Sequence, residues 1–194
     1  MATIGTRVID VSIDETLGGD ATTGALSEEW LRYVVNRALQ VALTPSQPAQ
    51  VSLLVTDDAT VRQLNRQYRG RDEVTDVLSF STTHAGHWEG DEDFPEAGSS
   101  SWPILPAVQD GYAGEFIFPS GQLPPLGEVI VSYPQTLRQA ESRKVPPERE
   151  LALLIVHGVL HLVGHDHLGA EDTTEMQARE RAAMETLFSP GTSC

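Results

Sequence analysis

The chain is short of positive charge, nearly free of cysteine, and without long apolar runs. Its one cysteine, Cys194, is the last residue, so no internal disulfide can form and a packed core must hold the fold. That usage fits a reducing, cytoplasmic setting. No apolar run approaches the roughly 20 residues that cross a bilayer, so no membrane is expected as a partner. Met1–Arg7 lacks the basic and apolar regions of a secretion signal, so no leader is expected. No repeat and no linker-like stretch divides the chain. What remains is 194 residues with 40% hydrophobic content, enough for one domain with a substantial core.

With 13 basic against 28 acidic residues, the formal net charge is −15. On charge alone this argues against nucleic acid, because phosphates need a basic footprint. The cations are unevenly placed, however. Arg62, Arg66, Arg69 and Arg71 crowd one stretch, and Arg138, Arg143, Lys144 and Arg149 another. Either these form a local basic surface, or they are solvated helix faces offset by Asp57, Asp58, Asp72 and Glu73.

Periodicity places the elements. Arg7–Ile13 alternates as a strand. Ser27 caps a helix with Leu31, Val34, Val35, Ala38, Leu39 and Ala42 inward, closed by Pro45 and Pro48. Val51–Val55 is a second strand. Asp57 or Asp58 caps a helix whose inward face is Val61, Leu64 and Tyr68. Asp76–Ser81 and Leu126–Ser132 read as strands. Between them, residues 84–125 are rich in Gly, Ser and Pro, with an acidic run at Asp91, Glu92, Asp93 and Glu96. This reads as an insertion, with a hairpin around Glu115–Phe118. Ser132 caps a third helix with Pro134 in its first turn. Pro146 and Pro147 open a fourth that runs to the histidines, and Glu171–Leu187 is a last amphipathic helix.

Four of the six histidines fall between His157 and His167. His157 and His161 are spaced i, i+4, so both imidazoles lie on one helix face within reach of one metal ion. Gly164 offers the left-handed turn that ends a helix and returns the chain. A third ligand then comes from His165 or His167, and spacing leaves both open. Three neutral nitrogens suit one Zn²⁺ ion and leave one of its four tetrahedral positions for water, which points to catalysis. A single histidine on an apolar helix is usually a hydrogen-bonded core residue. Several together would repel if charged and need partners if neutral, and metal ligation answers both. In the zinc-protease pattern H-E-x-x-H a glutamate follows the first ligand. Here Gly158 stands there, which weighs against proteolysis. A glycine inside a helix also points to close backbone approach, by another helix or by substrate.

The stretch His157-Gly-x-Leu-His161-Leu-x-Gly-x-Asp-His167 resembles the motif of the YbeY family, bacterial metal-dependent endoribonucleases of rRNA maturation. The block from Leu64 to Phe80, with Arg69-Gly70-Arg71-Asp72 and Thr75-Asp76-Val77-Leu78-Ser79-Phe80, is similar to the family's central block. Leu126–Ser132 is similar to its strand ahead of the metal helix. The resemblance implies that His157, His161 and His167 hold zinc, with His165 at a variable position, and that Arg69 serves catalysis. Asp166 is a further candidate, orienting a ligand histidine. Glu128 stands where the family commonly has Asp, and the 84–125 insertion is longer than the family pattern. The fold expected for residues 1–194 is a single α+β domain: a small mixed β-sheet packed against several helices, with a central metal-binding helix, zincin-like.

The function implied is a single-strand-specific, zinc-dependent endoribonuclease, cytoplasmic, acting on rRNA precursors in maturation of the 16S rRNA 3′ end and in ribosome biogenesis and quality control. The ribosomal small subunit or its proteins would be partners. Arg69 would grip the phosphate through two N–H groups; otherwise it forms a surface ion pair with Asp72 or Asp76. Two alternatives stand beside this: a metal-dependent hydrolase of another substrate, and a non-catalytic ribosome assembly factor with structural zinc.

Overall fold

Three helices begin where the sequence offers a side-chain oxygen to an otherwise unpaired backbone N–H. Ser27 accepts from Trp30 N–H at 3.1 Å, Asp57 from Thr60 at 2.8 Å and Ser132 from Gln135 at 3.2 Å. The computed structural model describes residues 5–17, 26–82, 123, 125–165 and 170–189. Among them the elements run β1 (Arg7–Ile13), α1 (Glu28–Ala42), β2 (Ala49–Thr56), α2 (Asp58–Arg69), β3 (Val77–Ser81), β4 (Pro125–Ser132), α3 (Tyr133–Arg143), α4 (Pro147–Leu162) and α5 (Ala170–Leu187). None of these helices is long and apolar enough to cross a membrane. Of the expected insertion, Pro125 instead opens β4. The acidic run, His84, His87 and the Glu115–Phe118 hairpin lie outside the described residues.

The fold is α+β, with one mixed sheet in the order β1-β2-β4-β3. β1 pairs parallel to β2 and β2 to β4, while β3 closes one edge antiparallel to β4. A register shift between Gln50 and Val51 matches the extra residue that β4 carries before Gly127.

Alternation along the strands divides the core. Val51, Leu53 and Val55 of β2 and Val129 and Val131 of β4 face α1, α4 and α5. Leu31, Val35 and Leu39, then Leu151, Ile155 and Val159, then Met176 and Leu187 complete that cluster. The other face carries Leu78 and Ile130 against Val61 of α2, with Leu54, Leu64 and Phe80 partly buried around them. Tyr68 does not join this face as its spacing predicts: it is 47% exposed and meets Phe80 edge-on, centroids 5.1 Å apart. Asn65 is buried in its stead, because its side-chain amide donates to the Glu73 carbonyl at 2.9 Å and ties the α2–β3 connection down.

α4 runs through the middle of the larger cluster, and Gly158 is why it fits. A Cβ there would stand 2.7 Å from Val129 Cγ1 and 3.0 Å from Ser79 Oγ. The close approach foreseen for this glycine is therefore made by the sheet, and neither a helix nor a substrate is needed to explain it. At the far end of α4, the Ser81 hydroxyl donates to the Leu162 carbonyl at 3.0 Å, fixing the helix terminus to the edge strand.

Candidate metal centre

α4 buries one flank and leaves its last two turns half open. His157 and His161 occupy that opening. Their Nε2 atoms face each other 3.0 Å apart, and their rings meet at 79° with centroids 4.6 Å apart. Behind His157, the Glu180 carboxylate of α5 accepts from Nδ1–H at 2.8 Å. His157 is 29% exposed and Glu180 17%. This contact fixes the tautomer: with the hydrogen on Nδ1, His157 Nε2 carries a lone pair and points it toward His161. At this separation at most one of the two facing nitrogens bears a hydrogen.

The donor set fits a zinc ion as far as it is described. Two nitrogens bound to tetrahedral zinc at about 2.0–2.1 Å lie roughly 3.3 Å apart, close to the 3.0 Å seen here. A carboxylate behind the first ligand's far nitrogen is the common arrangement around metal-bound imidazole.

The helix ends as Gly164 requires. Leu162 is its last residue, and Gly164 adopts φ 89°. Val163 N–H and His165 N–H both donate to the Leu160 carbonyl, at 3.2 and 3.1 Å, and Gly164 N–H to that of His161 at 3.1 Å. Among the described residues, no third histidine, cysteine or carboxylate joins the pair as a metal-holding group. His165 belongs to those residues and does not join. Asp166 and His167 lie outside them.

Arg69 is the last residue of α2, half-buried, with Gly70 turning the chain at φ 70°. It sits on the other face of the sheet from α4, but toward the same end of the edge strand: its neighbour Tyr68 meets Phe80, while Ser81 holds Leu162. Asp72 turns to Arg62, which grips it with Nε at 2.8 Å and a terminal nitrogen at 3.1 Å. Arg62 holds the Asp72 carboxyl below its usual range, by that hydrogen bond first. Asp76 takes Gln139 at 2.9 Å and the Val77 N–H at 2.8 Å. Glu128 is exposed in register with Phe80, on the sheet face away from the histidines, so the sheet does not bring it to them.

The basic clusters are partly offset by carboxylates, the second of the two arrangements expected for them. Arg62 meets Asp72, Arg138 meets Asp58 at 2.8 Å and Arg143 meets Glu150 at 2.5 Å. The last carboxylate was not foreseen, and it is only 2% exposed. Glu180 was also missed, although its position carried a signal. It falls on the stripe of Met176, Ala183, Met184 and Leu187, all buried, and a carboxylate on an apolar stripe needs a partner.

Comparison with known proteins gives a family. The family model of Endoribonuclease YbeY matches residues 20–188. The protein named Endoribonuclease YbeY in Chloroflexus aggregans is 35% identical over 189 residues, 95% of this chain and 99% of that protein. The protein of that name in Moorella thermoacetica is 38% identical over 159 residues, 80% of this chain and 86% of its own. That of Bacillus subtilis is 32% identical over 167 residues, 84% and 89%. The solution structure of TM1509 from Thermotoga maritima superposes with a TM-score of 0.50 at 20% identity, covering 96% of this chain and 100% of that one. That last likeness speaks for the fold alone.

Proposed function

The chain belongs to the Endoribonuclease YbeY family, and from that premise we propose that it is a single-strand-specific, zinc-dependent endoribonuclease. Its task in this reading is maturation of the 16S rRNA 3′ end, with a part in ribosome biogenesis and quality control, in the cytoplasm and against the small subunit or its proteins. The observation that carries the reading is the pair of Nε2 atoms at 3.0 Å with Glu180 behind His157. In this reading His167 completes the ligand set, as the motif implies, and Asp166 orients a ligand histidine. A zinc ion held there supplies Lewis acidity at the scissile phosphate and its attacking water.

The protein's own groups do the rest. Glu180 keeps the His157 ring from turning and holds the proton on Nδ1, so that Nε2 stays a ligand. Arg69 grips a non-bridging phosphate oxygen pair through two N–H groups and balances the charge that gathers at phosphorus as the transition state forms. Arg69 stands at the end of α2, whose neighbouring Tyr68 packs on Phe80 of β3.

Glu180→Gln is expected to lower zinc affinity about 10–100-fold while the protein stays folded. Competition against a chromophoric chelator measures this, and unchanged affinity removes Glu180 from the site. The function itself is tested with zinc-loaded protein and labelled RNA. Wild type is expected to cut a single strand and spare a duplex, and Arg69→Ala to cut about 10²–10³-fold more slowly, mostly through kcat. Equal cutting by both proteins marks the nuclease as a contaminant. A zinc-loaded wild type that never cuts favours the assembly-factor reading.

A further inference from the structure

A cleft of about 830 Å³ opens between the end of α3, the start of α4 and the end of α5, and Glu180 is part of its wall. Three arginines line it: Arg143, Arg149 and Arg181. For a chain of net charge −15, that is a concentration to be explained. Three carboxylates, Glu150, Glu180 and Glu185, line it too, and two of them are already engaged. Buried Glu150 is taken by Arg143, and Glu180 is taken by His157. Among the described residues, neither Arg149 nor Arg181 has a carboxylate partner.

The arginines are also prepared for a ligand. The Arg149 guanidinium lies over the Phe188 ring, 5.5 Å from its centroid. That contact holds the guanidinium beside the ring, and its forked N–H donors suit a phosphate. Arg143 is anchored through one nitrogen to Glu150 at 2.5 Å, which leaves its remaining donors to the cleft. Leu153 and Met184 supply an apolar floor between these charges. Phosphates beside a base-sized apolar surface is the chemistry of a single-stranded polynucleotide.

We infer that this cleft carries the RNA strand on one side of the bond being cut, with Arg149 and Arg181 on successive phosphates. The inference rests on the endoribonuclease reading and extends it. Glu180 is shared: its Oε1 meets His157 Nδ1, and the same side chain lines the cleft, so the cleft lies next to the histidine pair. This also accounts for RNA binding by so acidic a chain. The footprint is local, made of Arg149 and Arg181, with Glu150 and Glu180 held by Arg143 and His157 and exposed Glu185 beside them.

The test compares Arg149→Gln and Arg181→Gln with wild type, all zinc-loaded, on a long single strand and on a dinucleotide too short to enter the cleft. Each variant is expected to raise KM for the long strand about tenfold, with kcat and dinucleotide cleavage unchanged. Each is also expected to reduce the salt dependence of long-strand binding by about 0.7 in log–log slope, as for one lost phosphate contact. Melting temperature serves as the fold control, and Arg181, exposed on α5, guards against a packing defect at Arg149. An unchanged KM and salt slope for the long strand overturns the cleft while leaving the nuclease standing. Equal loss on both substrates overturns it too, because the effect then runs through Glu180. Wild type that neither binds nor cuts RNA removes the nuclease reading and the cleft with it.

Discussion

His161→Ala is expected to reduce RNA cleavage by about three orders of magnitude or more, equivalent to roughly 4 kcal/mol in the barrier. The reason is local. The site brings two Nε2 atoms to 3.0 Å, and alanine leaves one of them alone. The fold should tolerate the loss, because His161 is half-buried and sits in the last turn of α4. A stability change of about 1 kcal/mol is expected, within the ordinary range for single substitutions. His157→Ala should abolish activity equally but cost more stability, about 1–3 kcal/mol, since it strips the partner from the mostly buried Glu180. Metal content, cleavage rate and thermal melting, measured on the same preparations, separate the two effects. A His161→Ala protein that keeps zinc and cuts at the wild-type rate removes the histidine pair from the chemistry.

Gly127→Ala is expected to be the most destabilising single methyl in the described structure. Gly127 has φ 144°, a conformation that residues with a Cβ rarely adopt. A Cβ built there would lie 2.0 Å from the Phe80 carbonyl oxygen and 2.9 Å from Leu162 Cδ2. The first contact is with backbone across the β3–β4 pair, so no rotamer change relieves it. Backbone strain of about 1–3 kcal/mol adds to an overpacking cost of about 1–3 kcal/mol. A total near 4 kcal/mol is a large share of the 5–15 kcal/mol typical of a domain. Urea unfolding should show a lower midpoint with an unchanged slope. A loss under about 1 kcal/mol means that the β4 bulge relaxes freely, contrary to this account.

What the sequence disclosed follows the range of each interaction. Caps at Ser27, Asp57 and Ser132 act over three residues, so their residue types announce them. The His157–His161 pair is an i, i+4 relation on one helix, and Gly164 marks the helix end for the same local reason. Glu180 reaches His157 only because α5 packs on α4, and a local window cannot see that, though its place on the Met176–Met184 stripe hinted at a buried partner. Gly158 announced a close approach but not its source, because strand order decides that Val129 and Ser79 lie beneath it. The pairing of Arg138 with Asp58 is likewise tertiary, joining α3 to the start of α2. Tyr68 misled for a different reason: it meets only the edge strand β3, where Phe80 packs on it edge-on and leaves it 47% exposed.

The edge strand β3 and its neighbour β4 are paired to their ends. Phe80 lies opposite Glu128, Ser81 opposite Gly127, and Thr82 N–H reaches the Leu126 carbonyl at 3.0 Å. Thr82 and Pro125, the described residues on either side of the connection, are therefore clamped side by side. The entropy of closing such a ring grows only with the logarithm of its length, about 0.6 kcal/mol per doubling. A connection there can lengthen or shorten over evolutionary time with little effect on the sheet that anchors it. The clamp also stands beside Leu162 and the end of α4. Sequence changes in that connection are anchored next to the end of the helix that carries His157 and His161.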